Sequence, residues 1–307
     1  AINPMDAAFD DALRAGITSA MIGPGSANVV GGTFSFVKTC GRSIDELAVL
    51  SPAAMKIAFG ENPKVNYSGQ GKSPATRMAI AAMLREELFK AQRYYQKKSG
   101  GMKSEEEDFR YEAWVPVFEG KIPLKAHVHR ADDIQTAIRI AKEFHLDMTL
   151  DHCSEGHLIA EKIKQSGFPA VVGPDLASRN KIEVQNMAFK TIGILNKAGV
   201  KTAITTDHPV SLIQSLPICA GLAMKAGLAE EEALKAITIY PAQICRMDRR
   251  VGSLEVGKDA DIAIFDNLPL KVEARTMCTI IEGRIVYADE NFPLPSEKKK
   301  VYCTQRQ

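Results

Sequence analysis

Pro123-Leu124-Lys125-Ala126-His127-Val128-His129, then Asp132 to Phe144, then Met148-Thr149-Leu150-Asp151-His152: this stretch decides the fold. A short apolar run follows a proline. A helical period comes next, with Ile134, Ala137, Ile138 and Ala141 on one face. A second apolar run then ends on polar residues. Strand, amphipathic helix and strand in that order make a parallel unit.

The same alternation extends to both sides. Ile17 to Ile22, Met55 to Phe59, Ala170 to Val172 and Thr202 to Thr206 are further short apolar runs bounded by Gly, Pro or Asp. Such runs suit strands buried on both faces. Helices are expected over Pro74 to Lys98, Gly156 to Gln165 and Val184 to Ala198. For the first, Ser73 is the expected cap, and Met78, Ala81, Ala82, Leu84, Leu88 and Phe89 the expected inner stripe. The class is therefore α/β, as an open doubly wound sheet or a closed barrel. After about residue 240 the texture changes. Ala260 to Phe265 alternates, and so does Thr279 to Tyr287 around a Glu282-Gly283-Arg284 turn, which reads as antiparallel β structure.

A chain of 307 residues with 45% hydrophobic content can bury a large core. A net charge of +2, from 39 basic and 37 acidic residues, argues against nucleic acid or an acidic membrane surface as partner. Lys298-Lys299-Lys300 lies in a polar C-terminal tail and reads as solvated. Six scattered cysteines without a CxxC pair suggest reduced thiols and a cytoplasmic protein. Ile213 to Ala229 is interrupted by Gln214, Pro217 and Lys225, so it reads as a core helix rather than a membrane span.

The chemistry lies at the strand ends. His127 and His129 end one run, Asp151 and His152 the next, Asp207 and His208 a later one, and Glu61 follows the Met55 run. In an α/β barrel the C-terminal strand ends form the active face. Each residue alone is more often a loop cap. Together, His, Asp and Glu have the composition of a divalent-metal site. Gly23 to Gly32 is a glycine-rich segment without GxGxxG spacing. It is read as an active-site loop whose backbone approaches substrate, with a plain turn or a phosphate loop as alternatives. Cys153 lacks a base-and-orienter pair and is not taken as a nucleophile.

Lys125 to Ile134, Leu150 to Gly156 and Thr205 to Pro209 resemble the imidazolonepropionase-related branch of the amidohydrolase superfamily. So do Pro24 to Gly32 and Phe59 to Lys64. Gly252 to Asp261 is similar to the superfamily's return into its small β domain. The resemblance implies a distorted TIM-type (β/α)8 barrel over residues 1–247, a small β segment over 248–290 and the tail over 291–307. It implies metal ligands His127, His152, Asp207 and Glu61, with Asp207 also the proton shuttle. His129, His208, Asn28, Gly31 and Gly32 would contact substrate. Zinc is the expected ion, with iron, manganese or nickel as alternatives. The substrate would be a small cyclic or peptide-like amide, hydrolysed at a C–N bond, and a homo-oligomer would fit.

One departure stands out. The family pattern begins with an HxH pair on the first strand, and none precedes Ile17; the sequence opens on Ala1. The first strand and its two ligands are thus expected to be truncated, cleaved or carried on a separate N-terminal segment that completes the barrel. If they are lost outright, the alternative is a non-catalytic barrel kept for binding or assembly.

Overall fold

A computed structural model describes residues 2–100 and 108–293. The lysine cluster at 298–300, Cys303 and the tail from residue 294 lie outside the described residues. Seven strands form one sheet in simple sequence order: β1 (Ser19–Ile22), β2 (Val30–Lys38), β3 (Ala48–Ala58), β4 (Leu124–Val128), β5 (Met148–His152), β6 (Ala170–Val172) and β7 (Thr202–Ile204). The first three strands pair antiparallel, and β3 to β7 run parallel. The curled sheet with its helices is the wall of a distorted TIM-type barrel. Among the described residues, β1 and β7 are its two edges.

Strand alternation sorts the side chains. In β4, Leu124, Ala126 and Val128 enter the core shared with helix residues Ile80, Leu84, Leu88, Ile134 and Ala137. Lys125 and His127, on the other face, point into the barrel. Lys125 Nζ sits 3.0 Å from Asp151 Oδ1, and Thr149 Oγ1 donates to the same oxygen at 3.1 Å. The register sets His127 beside Asp151.

Three expectations change. First, the glycine segment is not wholly a loop: Gly31 and Gly32 belong to β2, antiparallel to β3, with a register shift between Val30 and Gly32. A Cβ on Gly31 would meet Lys56 Cγ at 2.9 Å, and Gly32 has φ +115°, so glycine is required by close strand approach and a bulge. Second, the long helix runs Arg77–Ser99 and is capped by Thr76, whose hydroxyl accepts from Ala79 N–H at 3.1 Å. Its buried face is Ile80, Leu84, Glu87, Leu88 and Ala91; Met78 and Phe89 are exposed. Third, Cys40 is disulfide-bonded, so the reduced-thiol reading fails there, while Cys153, Cys219, Cys245 and Cys278 are free.

The C-terminal strands β8 (Ile262–Phe265), β9 (Thr276–Ile281) and β10 (Arg284–Ala288) form a separate antiparallel sheet. Its hairpin turns at Glu282 (φ 51°) and Gly283 (φ 76°). The sheet docks on the helix Ala7–Arg14, where Thr279 Oγ1 donates to Leu13 O at 2.7 Å. Buried Lys38 on β2 is held by Asp259 and Asp261 at 2.9 and 2.6 Å. No described helix is long and apolar enough to cross a membrane.

Candidate metal centre

Three imidazoles meet at the C-terminal ends of β4 and β5. One nitrogen from each of His127, His129 and His152 lies within 4.8 Å of the others, and all three residues are buried. His127 faces inward by strand alternation. His129 is one residue beyond β4. His152 adopts φ 76°, which breaks the strand and turns its ring inward where alternation would have sent it out.

Hydrogen bonds show which nitrogen each ring has free. His152 Nδ1–H donates to the Gly173 carbonyl at 2.7 Å, leaving Nε2 open. His129 Nδ1 is paired with Ser154 Oγ at 2.8 Å, again leaving Nε2. His127 Nε2 faces Asn62 Nδ2 at 3.3 Å and Glu183 Oε1 at 3.9 Å, and its Nδ1 is buried with no partner. A buried polar atom normally has a partner, so an orphaned nitrogen on a ring whose centroid lies 4.7 and 4.5 Å from those of His129 and His152 fits a cation. Burial, with mutual repulsion from the neighbouring rings, holds His127 and His129 well below the usual histidine range. Burial likewise lowers His152. Neutral imidazole is the ligating form.

The other expected residues sit apart. Glu61 opens the helix Glu61–Ser68; its N–H donates to Glu183 Oε2 at 2.6 Å, and its own Oε2 accepts from Glu183 N–H at 3.4 Å. Asp207 follows β7 with φ 49°, is exposed, and its N–H donates to Thr205 Oγ1 at 3.1 Å. Its charge still acts on His152 and Lys56. His208 is exposed, and its Nδ1 accepts from Ile213 N–H at 3.3 Å. Asn28 accepts from the Tyr67 hydroxyl. The structure thus joins His127 and His152 to His129, for which the sequence leaves chelation, substrate contact and a role behind the ligands open. Asp207 is exposed in the segment after β7, and Glu61 lies against Glu183.

Two residues had no signal in the sequence. Glu183 comes from a 3-10 turn, Ile182–Val184, far from any strand end, yet it is 1% exposed with one unpartnered oxygen. Burial pushes its carboxyl up to about 7. Lys56, inside β3, is 5% exposed and has no ion pair among the described residues; burial lowers its ammonium.

These shifts set the pH response of the metal-free protein, with opposite signs. Below about 6.5 the unfolded chain takes up protons that the buried imidazoles refuse, so stability falls with pH, by up to about 1.4 kcal/mol per imidazole per pH unit. Glu183 and Asp175, both pushed up to about 7 by burial, act the other way between about 4.5 and 7. The two effects are of similar size, so the carboxyls are removed first: in a Glu183→Gln, Asp175→Asn background the melting temperature of chelator-treated protein is expected to be lower at pH 5.5 than at pH 7, and an equal or higher value would contradict the neutral-imidazole assignment.

The chain resembles known proteins in sequence and in fold. Over 321 positions the chain is 27% identical to amidohydrolase tasK of Hapsidospora irregularis, covering 93% of this chain and 32% of that protein. Over 109 positions it is 48% identical to an imidazolonepropionase of Brevibacillus brevis, covering 34% of this chain and 24% of that one. The chain thus spans about a third or less of the length of these curated relatives. The structure of an amidohydrolase from Thermotoga maritima MSB8 superposes with TM-score 0.91 at 39% identity, covering 94% of this chain and 76% of that one. The sequence profile of the amidohydrolase family matches residues 76–291, a span that holds all three imidazoles and the parallel strands β4 to β7. A match of that extent, on a barrel wall of this topology, shows that the chain belongs to the amidohydrolase family.

Proposed function

We propose that this chain hydrolyses a C–N bond of a cyclic or peptide-like amide, with a divalent cation, zinc first, held by His127, His129 and His152. The observation that carries the reading is the convergence of three buried imidazoles, one of which has a buried nitrogen without a partner. A cation held there would polarise a substrate carbonyl and make water nucleophilic near neutral pH.

The chain's own residues supply the rest. Gly173 O and Ser154 Oγ fix the rings of His152 and His129 through their Nδ1 atoms. Asp207, whose charge acts on His152, takes the proton released from the attacking water and returns it to the leaving nitrogen. His208 and Asn28 would contact substrate, and their exposure supports that role. Gly31 and Gly32 keep the β2 wall thin where Lys56 enters the barrel. Similarity to an imidazolonepropionase supports including cyclic amides in the substrate class.

The test is turnover by the zinc-loaded protein on a panel of imidazolones, hydantoins and dipeptides. Hydrolysis that stops with chelator and returns with cation is expected. A fully loaded protein inert across the panel would contradict the reading.

A further inference from the structure

We infer that Glu183 is a positioning residue that fixes the tautomer of His127, turning its Nδ1 lone pair toward the cation; this rests on the metal-site reading above. Two buried atoms in the site lack partners, His127 Nδ1 and Glu183 Oε1. They belong to groups on either side of one question: which nitrogen of His127 carries the hydrogen.

If Nδ1 carries it, that N–H is buried without an acceptor, Glu183 Oε1 stays orphaned, and Nδ1 cannot bind a cation. If Nε2 carries it, Nδ1 presents its lone pair to the imidazole nest, and the Nε2–H has one free acceptor nearby, Glu183 Oε1 at 3.9 Å. Asn62 cannot serve. Its Oδ1 is already taken by Lys181 Nζ at 2.5 Å, so it offers His127 Nε2 its NH2, a donor, at 3.3 Å. One tautomer therefore satisfies both orphans once the ring leaves Asn62 for Glu183. A carboxylate on the far nitrogen of a ligating histidine also raises its basicity.

Glu183 is built to stay in place. It is 1% exposed, its Oε2 accepts from Glu61 N–H at 2.6 Å, and Arg77 lies 4.0 Å from the same oxygen. Gly60, at φ +81°, leaves it room: a Cβ there would lie 2.5 Å from Glu183 Oε2.

Glu183→Gln separates this role from a structural one. Its amide oxygen still accepts from Glu61 N–H, but its NH2 meets Nε2 as a donor and forces the hydrogen onto Nδ1. Zinc affinity, measured by competition with a chromophoric chelator, is expected to fall about 10–100-fold, the usual cost of losing such a partner. The d–d spectrum of cobalt-loaded protein should change with it. Asn62→Asp, which places an acceptor beside Nε2, is expected to tighten zinc binding alone and to restore affinity in the Glu183→Gln background. Unchanged zinc affinity in Glu183→Gln, or weaker binding in Asn62→Asp, would overturn the inference while leaving the metal site standing. Wild-type protein that takes up no zinc would overturn both.

Discussion

His152→Ala is expected to weaken zinc binding by more than about 100-fold. The ring is locked on both sides: the Nδ1–H is anchored on Gly173 O, and the φ 76° backbone turns the side chain inward. Among the described residues the other two members of the imidazole group are His127 and His129, so its loss leaves two of the three rings. A protein zinc site of three or four ligands gains roughly 10–16 kcal/mol, so one ligand carries about 3 kcal/mol. At about 1.4 kcal/mol per tenfold, that exceeds two decades. Competition with a chromophoric chelator measures it. Binding within threefold of wild type would mean that the three rings do not share an ion.

Asp207→Asn is expected to lower turnover about 10²–10⁴-fold on whichever amide the zinc-loaded protein hydrolyses, the range for losing a general acid–base group. The substitution keeps the shape of the side chain and removes its ability to carry a proton. Zinc affinity should fall by no more than about tenfold, because an exposed charge outside the imidazole group contributes at most about 1 kcal/mol. The two readouts therefore separate: turnover collapses while zinc content holds. Near-normal turnover would remove Asp207 from the mechanism. Loss of zinc in parallel with turnover would make it a ligand instead.

The parallel wall was legible because its strands are short, apolar and punctuated by Pro, Gly and Asp, and because the helix Ala131–Glu143 carries a clean stripe. The β9–β10 hairpin was equally plain, since a Glu-Gly turn between alternating runs has few other readings. Strand β2 was missed because two glycines, Gly31 and Gly32, follow its first residue, Val30. Their meaning lies in what they avoid, the Lys56 side chain across the sheet, and that is a tertiary fact. The long helix was found but turned: Thr76 rather than Ser73 caps it, which leaves Met78 facing outward.

The site divides along the same line. His127 and His152 were readable because strand ends are where barrels do chemistry. His129 left chelation and substrate contact open, since one residue past a strand its direction depends on the loop. Glu183 was invisible: nothing local marks the acid of an Ile-Glu-Val turn, and only the folded chain brings it to the far side of His127. The disulfide at Cys40 was unreadable for a related reason, as scattered cysteines give no pairing signal.

The central claim is that His127, His129 and His152 hold one cation. Elemental analysis of protein purified without chelator, with intact mass on the same sample, tests it most directly when run beside a variant in which all three histidines are alanine. The account predicts at least one equivalent of zinc, iron, manganese or nickel in the wild type and none in the variant. A wild type without metal, or a variant that keeps the same metal content, would contradict it.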